Sequence, residues 1–164
     1  MLKKIPLALI FLIGLAACKS KSAFNYSQNF VKKETSLLPD IKSTEEKVKH
    51  YVAVEQYDSI GIAGEKLEKK VDDIINEIKN EPTPDAKEIQ NFKDEGIKYF
   101  SIIKNIYTCY KNFGYAKTAE ARADEMQKLN DLTDKKTQSI KAMQDAQQKF
   151  ADANGFKLEK ANSY

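Results

Sequence analysis

The chain has 164 residues, with 27 basic and 24 acidic side chains and a formal net charge of +3. This length is enough for one compact domain and short for two. Residues 1–17 carry two of the lysines, and without them the net charge is +1. Such a balance argues against nucleic-acid binding, which needs a clustered basic surface. Arg122 is the single arginine, so few bidentate forks exist for phosphate or carboxylate capture.

The N-terminal segment begins with Lys3 and Lys4 and is then apolar over residues 5–17. This run is too short to cross a bilayer as a helix, which needs about 20 residues. A charged start, a short apolar core and small residues at the end are typical of a secretory signal. The sequence therefore predicts a signal peptide at residues 1–17.

The signal ends in a pattern that resembles the bacterial lipobox, Leu15-Ala16-Ala17-Cys18. The resemblance implies that Cys18 is lipid-modified and becomes the first mature residue; the alternative is an ordinary signal peptide with an incidental cysteine. Two or more acyl chains hold a protein stably on a membrane, so the domain needs no membrane-binding surface of its own. Residues 19–21 carry no Asp, and this pattern resembles that of Gram-negative lipoproteins that are sorted to the outer membrane. The sequence does not indicate which leaflet of the membrane would hold the lipid anchor.

The mature chain is predicted to begin with a polar tether at 18–23, continue as a helical domain over 24–158 and end in a frayed segment, 159–164. The first helical run has apolar residues close to a heptad spacing: Phe24, Val31, Leu38, Ile41, Val48 and Val52. Pro39 lies inside this run and predicts a kink or break near Leu38. Ser43 or Thr44 could then be the N-cap of a helix that restarts after the break.

The second and third runs are separated by a stiff loop with two prolines, residues 80–84. Gly61 and Gly64 are expected to weaken the second helix. Asp85 stands three residues before Glu88, the spacing of a capping box. The expected inner face of the second run is Ile60, Ala63, Leu67, Val71, Ile74, Ile75 and Ile78. That of the third is Ile89, Phe92, Gly96, Tyr99, Phe100, Ile103, Ile106, Tyr107, Tyr110 and Phe113, with Gly114 as the cap that ends it.

The fourth run is expected to start after a Thr118 cap and to stop at Asn154-Gly155. Phe156 and Leu158 are placed over the end of the bundle. The expected inner face is Met126, Leu129, Leu132, Ile140, Met143 and Phe150. The sequence has no alternating strand pattern. It therefore predicts an all-α, up-down-up-down four-helix bundle whose first helix is kinked at Pro39.

Residues able to do chemistry are few. His50 is the only histidine, and Cys109 is the only thiol left once Cys18 is lipidated. These two cannot supply the three or four ligands of a zinc site. One histidine suffices for a Ser/His/Asp relay, yet no Gly-x-Ser-x-Gly elbow is present. We therefore predict no catalytic residues, no metal and no cofactor. Cys109 is interpreted as a small core residue, with a reactive or intermolecular thiol as the alternative.

The third run is rich in phenols, at Tyr99, Tyr107 and Tyr110, with Tyr115 after them. One hypothesis is that these rings fill the core while their hydroxyls reach the surface or the backbone. The other is that they contact a ligand or a partner, because bundles can open between helices and tyrosine is common in binding hot spots.

The lipobox, the four helical runs and the closing segment together resemble a family of small helical surface lipoproteins described from leptospires and found also in Bacteroidetes-type bacteria. The segment that carries most of this resemblance is Ala146-Gln147-Gln148-Lys149-Phe150-Ala151-Asp152-Ala153-Asn154-Gly155-Phe156-Lys157-Leu158. The resemblance implies a helical fold and an envelope location. The family has no assigned activity, so it implies no functional residues.

The sequence thus predicts a lipid-anchored envelope protein that acts as a non-catalytic interaction or structural module, with an envelope protein, a host molecule or a glycan as partner. The alternative is a carrier of small apolar ligands beside Tyr99, Tyr107 and Tyr110. A pocket above about 300 Å³ next to the third helix would favour the carrier. An exposed apolar patch of several hundred Å² would favour the partner-binding module. A buried Ser or acid within reach of His50 would favour a hydrolase.

Overall fold

The computed structural model describes residues 8–158, with side chains from residue 19 onward. Its helices are α1 (Ala8–Ala53), α2 (Tyr57–Asn80), α3 (Ile89–Tyr115) and α4 (Ala119–Asn154), and the described residues contain no strand. Each helix packs on the next one, and α1 also contacts α4. The predicted all-α four-helix bundle is confirmed.

The first helix continues through Pro39 as one element. Neither Ser43 nor Thr44 caps a new start, because no break precedes them. Pro39 has no N–H to offer the carbonyl of Thr35 four residues earlier. Both residues are exposed, so water can take the place of the missing donor.

The buried side of α1 is displaced by one residue from the predicted one. Phe24, Val31, Leu38 and Val52 are between 37% and 55% exposed. Val48 is buried as predicted and Ile41 packs half-buried on the core. The residues that α1 buries are Ala23, Tyr26, Ser27, Phe30, Leu37 and Val48. The ring of Phe30 lies over Gly96 of α3, where a Cβ atom would collide with it, so this aromatic contact sets the rotation of α1.

The segment predicted as a tether is instead part of α1. Ala23 is fully buried, and Lys19 Nζ lies 2.6 Å from Asp85 Oδ2 in the loop between α2 and α3. These contacts give residues 19–23 a fixed place on the bundle. Residues 1–7 of the predicted signal peptide, the side chains of residues 8–18 and the predicted frayed segment 159–164 lie outside the described residues, and the backbone of residues 8–17 belongs to α1.

Helices α2 and α3 approach closely through glycines. A Cβ atom at Gly64 would lie 2.6 Å from the backbone nitrogen of Lys111 and 2.9 Å from the carbonyl oxygen of Tyr107. Gly114 faces the backbone of Gly61 inside α3, so its predicted capping role is wrong. The predicted inner face of α2 is buried apart from the half-buried Ala63.

The start of α3 also differs from the prediction. The N-cap position is Glu88, in the left-handed region with φ of 60°, and no side chain caps the helix there. Asp85 forms its ion pair with Lys19 instead of a capping box. Beyond this start, Phe92 and Phe100 are fully buried, and the ring of Phe92 stacks on that of Phe150 with centroids 5.3 Å apart.

Both ends of α4 are as predicted. The hydroxyl of Thr118 accepts a hydrogen bond from the backbone N–H of Ala121 at 3.1 Å. Gly155 ends the helix with φ of 70°, and the N–H of Phe156 donates to the carbonyl of Ala151, the arrangement of a Schellman motif. The ring of Phe156 packs edge-on against Phe150.

The first half of α4 packs lightly. Its buried residues are Ser139, Met143, Ala146, Phe150 and Ala151. Met126, predicted on the inner face, is 41% exposed, and Leu129 and Leu132 are half-buried. The second half of α4 therefore supplies most of its contact with the core.

Candidate functional site

Two helix junctions meet at one end of the bundle, because neighbouring helices run in opposite directions. They are residues 54–56, between α1 and α2, and residues 116–118, between α3 and α4. The ring centroid of Tyr57 lies 5.9 Å from that of Phe113, which holds the junctions together. We call this end the distal end, since it is opposite to Lys19.

Exposed apolar side chains concentrate at the distal end. Among residues 19–158, eight large apolar side chains are exposed, and five of them lie at or within about two turns of these junctions. We call these five residues the distal face: Val52, Val54, Ile62, Tyr115 and Met126. Ile62 is the most exposed, at 61%. The five residues share this end of the bundle but come from all four helices and one junction. Single exposed apolar side chains are ordinary, whereas contiguous patches of them mark interaction surfaces.

A cleft of about 450 Å³ opens between the two junctions, and we call it the distal cleft. Arg122 forms one wall of it. Its Nη1 donates to the carbonyl of Ala116 at 2.7 Å, and its guanidinium carbon lies 4.3 Å from the ring centroid of Tyr57. The hydrogen bond to the Ala116 carbonyl and the cation–π contact with Tyr57 hold the guanidinium group in place at the cleft.

The junction residue Glu55 ends α1 in a left-handed conformation, with φ of 56°. Its N–H donates to the carbonyl of Val52, and the N–H of Gln56 donates to that of Tyr51 at 2.9 Å, the arrangement of a Schellman motif. The carbonyl of Glu55 accepts a hydrogen bond from the N–H of Tyr57 at 3.0 Å. These bonds define the backbone of Glu55, which lines the cleft.

Tyr115 belongs to the distal face and is anchored at both ends. Its ring lies over Gly61, and its hydroxyl donates to Glu65 Oε2 at 3.1 Å. Burial, followed by the hydrogen bond to Glu65, raises the pKa of the phenol above its ordinary value. The ring is thus presented at the surface in a defined orientation while 39% of the residue stays exposed.

The other three tyrosines that the sequence singled out lie elsewhere. Tyr99 and Tyr107 are buried in the core, and Tyr110 packs half-buried against it. The hydroxyl of Tyr99 donates to Glu34 Oε1 at 2.7 Å; burial and then Glu34 raise the pKa of this phenol. The structure therefore does not bring the four phenols to one site. Two clefts beside α3, of about 490 Å³ and 310 Å³, exceed the volume that favours a carrier, but other residues line them, Ile102 in the larger and Cys109 in the smaller, and none of the predicted tyrosines does.

His50 and Cys109 occupy unrelated places. His50 is exposed near the end of α1, with its ring 5.8 Å from that of Tyr51. Cys109 is 5% exposed, and burial, followed by Glu125, raises the pKa of its thiol to about 11. Across the part of the chain whose side chains are described, no three His, Cys, Asp or Glu residues are grouped so that they could hold a metal ion.

The sequence marks Arg122 only as the single arginine and predicts no role for Tyr57. Their contact joins residues 65 positions apart, so helical periodicity carries no signal for it. None of the helices within residues 8–158 has the length and apolarity that crossing a membrane requires. No family model, curated protein or solved structure matches this chain.

Proposed function

We propose that this chain is a lipoprotein of the bacterial cell envelope, anchored by lipid on Cys18, whose distal face binds a protein partner. The anchor is inferred from the lipobox at 15–18, and the outer membrane is inferred from the residues that follow it. The resemblance of the closing segment to helical surface lipoproteins supports the same location. The role is binding rather than catalysis.

The observation that carries the proposal is the opposite placement of the two functional ends. Lys19, next to the lipidated residue, lies against the loop that holds Asp85. Val52 lies at the other end of α1 and belongs to the distal face. A lipid at residue 18 would therefore leave the distal face pointing away from the membrane, where a partner can reach it.

The chemistry of the distal end fits a protein partner. Interfaces are enriched in Tyr, Met and Arg, and the distal end presents Tyr115, Met126 and the fixed guanidinium of Arg122. Hot-spot residues of the same types dominate binding energies when they surround a pocket. The distal cleft is large enough to receive one or two side chains of a partner.

The carrier hypothesis receives less support from the geometry. The Tyr99 hydroxyl is already bonded to Glu34, and the rings of Tyr99 and Tyr107 fill the core rather than line a cleft. A ligand beside them would have to displace packed side chains. We therefore favour the distal face over the bundle core as the binding site.

Crosslinking in intact cells of the native host tests the distal face. Ile62→Asp places a charge at its most exposed residue and is expected to abolish the crosslinked complex. Leu38→Asp is the matched control, because Leu38 is 55% exposed but lies on the middle of α1. Loss of the complex in both variants, or in neither, would contradict an interface at the distal end.

The anchor has its own test. Cys18→Ser is expected to release the protein from membranes while circular dichroism still reports a helical bundle. The native protein should carry acyl chains on residue 18 in a mass spectrum. A Cys18→Ser variant that still sediments with membranes would overturn the proposed anchorage.

A further inference from the structure

A second cleft lies at the opposite end from the distal face, between α1 and the proline-containing loop after α2. Its volume is about 350 Å³, and we call it the proximal cleft. Uncharged polar side chains and one carboxylate line it: Ser22, Asn25, Tyr26, Asn29, Glu81 and Thr83. Pockets of this size that combine a fixed wall with several convergent polar groups bind small ligands.

Tyr26 is the unusual member of this set. The residue is only 5% exposed, and its hydroxyl is the single buried side-chain oxygen or nitrogen among residues 19–158 that lacks a hydrogen-bond partner. Its ring is wedged edge-on between Phe92 and Phe150, which fixes the direction of the hydroxyl. A buried hydroxyl without a partner is uncommon in folded proteins and points to a missing acceptor.

The hydroxyl of Tyr26 stays a proton donor at all ordinary pH values. Burial, followed by the nearby Glu81, raises the pKa of this phenol to about 12. Glu81 lines the same cleft, and its carboxylate can accept a hydrogen bond from a ligand. The cleft therefore offers a donor and an acceptor side by side.

The carboxylate of the cleft is only partly compensated within the protein. Lys33 Nζ lies 3.9 Å from Glu81 Oε2 but pairs more closely with Glu77 Oε2, at 2.6 Å, and Glu81 Oε1 accepts a hydrogen bond from Asn29 Nδ2 at 3.2 Å. No other charged side chain lines the cleft. This composition suits a ligand that donates hydrogen bonds and excludes an anion.

The wall of the cleft is held rigidly. Lys93 Nζ donates to the carbonyl of Lys79 at 2.9 Å and to that of Glu81 at 3.3 Å, which ties the loop to α3. Pro82 and Pro84 restrict the loop further. A preformed wall lowers the entropy cost of binding. The Tyr26 hydroxyl is enclosed, so a ligand reaches it only when a side chain that lines the cleft moves, and the exposed Asn29 is one such side chain.

We propose that the proximal cleft binds one sugar residue, through hydroxyl groups that accept a hydrogen bond from Tyr26 and donate one to Glu81. A sugar hydroxyl does both with a single atom, and an adjacent hydroxyl matches the amide of Asn25. The sugar can belong to a soluble glycan or to the headgroup of a glycolipid in the nearby membrane. This inference is independent of the distal face, since it concerns the other end of the bundle.

Saturation-transfer NMR with the full lipidated protein in detergent micelles tests the proposal, with the methyl glycosides of glucose, mannose and N-acetylglucosamine as probes. Transfer to at least one probe is expected. Tyr26→Phe should weaken its binding by about fivefold, the effect of one lost hydrogen bond. This variant keeps the ring in the core, so the fold should survive. Tyr51→Phe, at the distal end of α1, is the matched control and should bind as the native protein does.

The source of the sugar is separated in a second arm, with phosphatidylcholine vesicles that contain or lack monoglucosyl diacylglycerol. Binding of the soluble glycosides supports a free glycan, and Tyr26-dependent binding only to the glycolipid vesicles supports a headgroup. The proposal is overturned if no probe in either arm binds, or if binding is the same in Tyr26→Phe and the native protein. Ile62→Asp should leave sugar binding unchanged, which keeps this result separate from that of the distal face.

Discussion

The side chain of Asn154 pairs with the backbone of Lys87 through two hydrogen bonds. The N–H of Lys87 donates to Asn154 Oδ1 at 3.2 Å, and Asn154 Nδ2 donates to the carbonyl of Lys87 at 2.9 Å. One amide thus satisfies both backbone groups of a loop residue, as a neighbouring strand would. The pair fixes the loop before α3 to the last turn of α4.

Replacing Asn154 should loosen this end of the bundle. Asn154→Ala removes both bonds and should lower the free energy of unfolding in urea by about 1–3 kcal/mol. The amide hydrogen of Lys87 should also exchange faster in the variant. Asn130→Ala, at an exposed position of the same helix, is the control and should change stability by less than about 0.5 kcal/mol. Equal stability in the two variants would show that the Asn154 pair contributes nothing.

Two glycines of α2 should respond to the same substitution to different degrees. In Gly64→Ala the new methyl meets the backbone of Lys111 and Tyr107, which cannot move without separating α2 from α3. This overpacking should lower the free energy of unfolding by about 1–3 kcal/mol.

Gly61→Ala is the matched comparison. Its methyl would lie 2.7 Å from the ring of Tyr115, and moving this surface ring costs its hydrogen bond to Glu65 but leaves the backbone in place. The gain in helix propensity, about 1 kcal/mol, should offset much of the contact cost. Urea titration of both variants measures their free energies of unfolding and shows which variant is less stable. A Gly61→Ala variant less stable than Gly64→Ala would contradict the close backbone approach at Gly64.

Glu68 should make stability depend on pH in the acid range. It is partly buried, which opposes ionisation, yet hydrogen bonds from Lys111 Nζ (2.5 Å) and Thr108 Oγ1 (2.7 Å) outweigh this and lower the pKa of the carboxyl. A lowered folded-state pKa stabilises the protein above the ordinary glutamate pKa of 4.5, and this contribution is lost as the pH falls through the folded-state value.

Glu68→Gln should therefore cost about 1 kcal/mol at neutral pH. Below the folded-state pKa the difference from the native protein should shrink towards zero. Urea unfolding at pH 7 and at pH 3 measures it, with the exposed Glu46→Gln as the control. A difference that stays constant between the two pH values would rule out the ion pair as its cause.

Cys109 should be inert in the folded protein. It is buried, and the pKa of about 11 leaves little thiolate at neutral pH. In a Cys18→Ser variant it is the only thiol, so labelling with Ellman's reagent reports on it alone. The reaction should be slow in buffer and fast in urea. Rapid labelling without urea would support the alternative of a reactive thiol.

Periodicity predicts α2 well because its apolar residues form one stripe with charged residues opposite. In α1 it fails, since two heptad-spaced sets lie one residue apart: Ala23, Phe30 and Leu37 against Phe24, Val31 and Leu38. Which set is buried depends on Gly96 of α3, because this glycine leaves room for the ring of Phe30. The local sequence around Phe30 gives no sign that Gly96 will lie beside it.

The candidate sites were harder to predict than the fold. Thr118 and Gly155 act within a few residues of themselves, so local rules for helix ends identify them. The Arg122–Tyr57 contact and the Tyr26–Glu81 cleft each join distant segments, and both depend on how helices are rotated. Gly114 was misassigned for the same reason, because a glycine at a helix end and a glycine at a helix crossing look alike in sequence.

The incorporation of residues 19–23 into α1 has a mechanical consequence. A helix rises 1.5 Å per residue, so Lys19 and Ala53 are held about 50 Å apart by one rigid rod. A flexible linker would let the bundle sample many heights above the membrane, whereas this continuous helix fixes one height. With an acyl group next to Lys19, the far end of α1 would stay at a constant distance from the bilayer. Only molecules that extend to that distance could contact it.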